Sequence, residues 1–111
     1  MNILHKVIDD VVVLSIDGDV MGGPEAGQLV EEINRLLDEN SLKMVLDLGN
    51  VNRMNSSGLG IMINAQTTFK QNGGTFKLAN LTPLVENLLK ITRLDTVFES
   101  YATVDLAIAS F

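Results

Sequence analysis

The residues able to do chemistry are few and concentrate in one stretch, MNSSGLG, running from Met54 to Gly60. Ser56 and Ser57 stand there side by side, behind Asn55 and ahead of Gly58 and Gly60. A serine hydroxyl serves as a nucleophile when a base takes its proton, and as a helix cap when it accepts a backbone N–H. The single histidine, His5, falls in the expected first strand and reads as a surface residue. It completes a Ser-His-Asp triad only if the fold carries it to a serine. The chain has no cysteine, which excludes disulfides, thiolate metal sites and cysteine nucleophiles. One histidine without cysteines makes no convincing metal site, so neither a metal nor another cofactor is expected. Gly58-Leu59-Gly60 lacks the third glycine of a dinucleotide-binding turn, and no Gly-Lys-Ser/Thr phosphate loop occurs. Asp9-Asp10 suits a tight turn. Asp17 and Asp19 flank Gly18 at a strand end, where a metal or phosphate role is open but solvated loop acids are the simpler reading.

The elements that must position Ser56 and Ser57 follow from periodicity. Residues 2–20 read as two short strands about the Asp9-Asp10 turn. Val11, Val13 and Ser15 face one way, and Val12, Leu14 and Ile16 the other. Gly22-Gly23-Pro24 suits a loop that delivers a helix with Pro24 in its first turn. Ala26, Leu29, Val30, Ile33 and Leu37 then recur as one helical stripe. Lys43 to Leu48 is a short apolar run expected as a strand buried on both faces, and GNVNRMN after it as a loop. The second helix starts at the serines, with Ile61, Met62, Ala65 and Phe69 as its apolar side, and ends at Gly73-Gly74. A strand follows at TFKLAN. The third helix is capped by Thr82, starts at Pro83 and buries Val85, Leu88 and Leu89. TVFESY supplies a last short strand, and Val104, Ala107, Ile108 and Phe111 keep helical spacing. The expected fold is α/β: a small mixed β-sheet of four to five strands with four helices packed on it.

The serine pair therefore joins a buried strand to a helix, and loops at the carboxyl ends of strands commonly carry function. A helix start offers unpaired N–H groups and a positive dipole end, worth roughly 0.3 to 1 kcal/mol to an anion. A phosphate on Ser56 would be tolerated there, adding close to two negative charges. The same position suits an ordinary cap, with Ser56 or Ser57 bonding the first free N–H groups. The residue types alone favour the cap, and one hydroxyl can serve both ends.

Composition narrows the partners. With 111 residues the chain is expected to form one domain, 1–111, whose core draws on 46% hydrophobic but only 5% aromatic residues. A net charge of −6 without a basic patch disfavours nucleic acid and anionic membrane. No apolar run approaches transmembrane length and the first residues do not form a signal peptide, so a soluble cytoplasmic protein without membrane insertion is expected.

The stretch VLDLGNVNRMNSSGLG, with the helix, Gly73-Gly74 and the strand after it, resembles the STAS domain of bacterial anti-sigma factor antagonists. The family's signature is D-S-S-G-L-G or D-S-T-G-L-G after a buried strand, preceded by a G-E-L-D-like turn, for which this chain has GDVM. The resemblance spans nearly the whole chain. It implies a binding switch rather than an enzyme. The partner would be an anti-sigma factor that is also a serine kinase of the histidine-kinase-like ATPase type. Binding would free a sigma factor, phosphorylation would break the complex, and a serine phosphatase would reverse it. By position the acceptor is Ser56. The partner-binding residues would be Asp19, Met21, Gly22, Gly23, Asn55, Ser56, Ser57, Gly58 and Leu59, on a monomer or weak dimer. Three positions depart from the pattern. Asn55 replaces the signature aspartate, the turn's acid falls near Met21 or Gly22 in a loop one residue longer, and Arg93 stands where glycine is usual. The first two remove carboxylates beside the acceptor. Asn55 motivates the alternative of a STAS interaction module that is never phosphorylated, acting as a scaffold or a transport-complex subunit.

Overall fold

The computed structural model describes residues 2–111, with the side chains of residues 24–26 outside that description. The elements run β1 (Asn2–Ile8), β2 (Val11–Val20), α1 (Pro24–Asp38), β3 (Lys43–Met54), α2 (Ser56–Gln71), β4 (Thr75–Ala79), α3 (Pro83–Ile91), a 3-10 turn (Leu94–Thr96), β5 (Glu99–Tyr101) and α4 (Val104–Ala109). One five-stranded sheet has the order β1-β2-β3-β4-β5. β1 pairs antiparallel with β2, and the remaining pairs are parallel. The expected mixed α/β sheet is therefore present. The hairpin turns through Asp9 and Asp10 at φ 50° and 69°, left-handed values that the type I′ turn needs and aspartate tolerates.

Period-2 alternation decides which residues fill which core. Val12, Leu14 and Ile16 join Met44, Leu46, Leu48 and Leu78 in the main core under α1, α2 and α3. Val11, Val13, Val45 and Ala79 point to the opposite face, which Ala107 of α4 covers. In α1 the buried stripe is Leu29, Ile33 and Leu36, whereas Val30 and Leu37 are only half-buried. The sequence spacing pointed to Leu37 because i+4 and i+3 steps from Ile33 both fit a helical face. Ala26, expected on the same stripe, lies outside the described side chains.

Two strands run further than their hydrophobic alternation. GNVNRM is not a loop but the last part of β3, pairing Asn50 with Asp17, Val51 with Gly18 and Met54 with Val20. Likewise β2 continues through Asp17-Gly18-Asp19 to Val20. Register shifts between Ser15 and Asp17 and between Gly18 and Val20 interrupt the pleat there, so the alternation fails while the pairing persists.

Arg93 follows α3 at φ 60°, ψ 25°, the left-handed position at which a glycine is expected. Its Cβ is strained there, while glycine carries a larger unfolded-state entropy. Arg93→Gly is therefore expected to raise stability by about 0.5 kcal/mol, read as a small upward shift of the thermal unfolding midpoint.

Candidate functional site

β2 and β3 end side by side, and their ends deliver both segments of the site. Val20 pairs with Met54, and the next residue, Asn55, donates its backbone N–H to the Val20 carbonyl at 3.4 Å. Asn55 is extended (φ −116°, ψ −174°) and caps α2, its Oδ1 accepting from the Gly58 N–H at 3.0 Å. The cap is thus the asparagine, not Ser56 or Ser57 as the residue types suggested. All three residue types cap well, and the choice among them falls to where β3 ends. Ser56 becomes the first helical residue. Both serines are exposed, and neither hydroxyl bonds a described residue.

Glycines let the segments touch. A Cβ on Gly58 would lie 2.1 Å from the Val20 carbonyl oxygen, so α2 sits on the end of β2 only because position 58 has no side chain. Gly22, at φ +84°, lies against Ser57, and a Cβ there would meet the Ser57 Cβ at 2.6 Å. Gly23 (φ 79°, ψ −162°) occupies a region essentially reserved for glycine and caps α1. The Asn55 amide Nδ2 donates to the Met21 carbonyl at 2.8 Å. Gly22, Gly23, Asn55, Ser56 and Ser57 therefore meet at one end of the sheet, with Met21 partly exposed beside them. Gly58 and Leu59 belong to the same turn but are buried, and they act from beneath as packing.

Asp19 is not free for a ligand. Its Oδ2 accepts from Arg53 Nη2 at 2.7 Å and Nε at 3.0 Å, and this hydrogen bonding raises the guanidinium's already high pKa. The pair is exposed and screened, so it orients more than it stabilises. No local pattern pairs Arg53 with Asp19, since it lies 34 residues on in a segment that reads as a loop. Asp17 is exposed, and among the described residues no three His, Cys, Asp or Glu side chains gather as a metal site. The first turn of α2 holds no acid. An anion on Ser56 would thus meet the positive helix end unopposed from within the helix. Among the described residues no helix is long and apolar enough to cross a membrane.

Known proteins resemble this chain in sequence and in fold. A Thermotoga maritima protein named "Putative anti-sigma factor antagonist" is 29% identical over 105 residues, covering 93% of this chain and 91% of its own. The crystal structure of an anti-sigma factor antagonist from Mycobacterium paratuberculosis superposes with a TM-score of 0.87 at 25% identity, over 98% of this chain and 92% of that one. Unphosphorylated SpoIIAA, at 17% identity, shares the fold with a TM-score of 0.77 over 98% of this chain and 96% of its own. The sequence pattern of the STAS domain matches residues 2–107, which takes in both cores and the whole site, and the chain belongs to the STAS domain family.

Proposed function

We propose that the chain is an anti-sigma factor antagonist that docks on its anti-sigma factor through the start of α2 and the segment Gly18 to Gly23, which is the end of β2 and the loop after it. Phosphorylation of Ser56 switches the docking off. The observation that carries this reading is the exposed Ser56 hydroxyl at the first position of α2, which bonds no described residue, with Asn55 already serving as cap. A kinase reaches that oxygen without breaking a hydrogen bond to any described residue, and the helix end accommodates the charge that results. The likeness to relatives named as anti-sigma factor antagonists supports the role. The partner is then an anti-sigma factor with serine kinase activity of the histidine-kinase-like ATPase type, and a serine phosphatase resets the switch. The protein itself acts by binding and not by catalysis.

Asn55 favours a second reading, because it lacks the charge that a signature aspartate would place beside the acceptor. In that reading the surface docks a partner but is never phosphorylated, as in a scaffold or a transport-complex subunit. Incubation with the anti-sigma kinase and ATP, followed by mass spectrometry, separates the two. One phosphate on Ser56, absent from Ser56→Ala, is the expected result. An intact protein that binds the kinase and gains no phosphate would establish the second reading instead.

A further inference from the structure

The Asn55 side chain spends both ends of its amide on different segments. Oδ1 takes the Gly58 N–H of α2, and Nδ2 gives a hydrogen to the Met21 carbonyl of the loop before α1. The reverse orientation would set an NH₂ against an N–H and an oxygen against a carbonyl, so the partners themselves fix which end is which. The loop it reaches holds Gly22 and Gly23 in succession, both at positive φ. Two such glycines have wide conformational freedom and no side chains with which to hold themselves. Gly22 gains its place by lying against Ser57, and the Met21 carbonyl is fixed by Asn55.

We propose that Asn55 is a positioning residue that locks the Met21–Gly23 loop to the start of α2, so that Met21 and Ser56 are presented to a partner as one rigid surface. The inference deepens the docking function proposed above and rests on it for its purpose, though not for its geometry. An aspartate, the residue of the family signature, does only half of this work. Its carboxylate accepts the Gly58 N–H as well as asparagine does, but it has no hydrogen for Met21 and faces that carbonyl with negative charge. Asn55→Asp therefore keeps the helix cap and releases the loop. Asn55→Ser does the same by another route, since its hydroxyl can cap but is too short to reach the loop as well.

The test uses ¹⁵N relaxation on the full free chain. In the native sequence the amides of Gly22 and Gly23 are expected to have order parameters of about 0.85, as in rigid backbone. In both variants they are expected to fall below about 0.6, while the amides of Gly58 and Leu59 keep their native values. The unfolding midpoint of Asn55→Asp should stay close to native, because Asp and Asn cap equally. A loop already mobile in the native chain would overturn the inference. So would a loop that stays rigid in both variants, or mobility that spreads equally into the first turn of α2, which marks a lost cap. The measurement needs no partner, so its failure leaves the docking function standing. Equally, a chain that binds no anti-sigma factor would still show the coupling.

Discussion

Gly58→Ala is expected to cost about 3 kcal/mol of unfolding free energy, while Gly60→Ala, two residues on, is expected to add about 0.5 to 1 kcal/mol. The same methyl group enters the same helix in both cases. At position 60 it meets nothing within 4 Å, so only helix propensity counts, and alanine has less backbone freedom to lose than glycine. At position 58 it would lie 2.1 Å from the Val20 carbonyl oxygen and 3.0 Å from both the Val20 carbonyl carbon and Met54 Cγ. Two of those three atoms are backbone of β2, which its pairing with β3 holds at that point, Val20 opposite Met54, so it cannot yield alone. The helix start must lift instead, straining the contact of the Asn55 N–H with Val20 and the cap on Gly58. Thermal denaturation reads the result, with a midpoint about 10 to 15 °C lower for Gly58→Ala and slightly raised for Gly60→Ala. Equal midpoints in the two variants would show that α2 does not rest on β2 in this way.

That contrast marks how far the sequence could be read. Ser-Ser-Gly-Leu-Gly announces a helix start with small residues, but nothing in the pattern tells the packing glycine from the idle one. The difference lies in Val20, which is far away along the chain and becomes a neighbour only through the parallel pairing of β2 with β3. The cap follows the same logic. Asn55, Ser56 and Ser57 are three adjacent residues of capping type, and the strand end that selects Asn55 is itself hidden. β3 continues through Gly49 to Met54 although Gly49, Asn50, Asn52 and Arg53 are all exposed, so the apolar run that defines the strand stops six residues early. By contrast, elements governed by local chemistry were legible. The Asp9-Asp10 turn, the Thr82 cap with Pro83 after it and the Gly73-Gly74 stop appear where their residue types place them, as do Met62, Ala65 and Phe69 on the apolar side of α2, with Ile61 half-buried at its edge. The Arg53–Asp19 pair and the Asn55–Met21 bond were not, because each joins residues 34 positions apart.

Ser56→Asp is expected to weaken binding of the anti-sigma factor by about 2 to 3 kcal/mol, a loss of ~30- to 150-fold in affinity by titration calorimetry. The fold should not share in this loss. A carboxylate at the first position of α2 faces the positive helix end, and no acid already occupies that turn. The dipole favours it by roughly 0.3 to 1 kcal/mol, so the unfolding midpoint should hold or rise. Only the docked state suffers. A partner closing over Ser56 must strip water from the new charge, and nothing among the described residues nearby compensates it, since Arg53 is engaged with Asp19. Ser56→Ala provides the control, for it removes the hydroxyl without adding charge and should bind within about threefold of the native chain. The two substitutions then separate the ways in which a serine can matter. Similar losses in both would mean that the partner bonds the hydroxyl itself, and that charge is not the switch. A loss confined to Ser56→Asp would show a surface whose affinity is set by charge at the helix start, the property that a reversible phosphate exploits. Unchanged affinity in both would move the partner's footprint away from α2 altogether and contradict the proposed function.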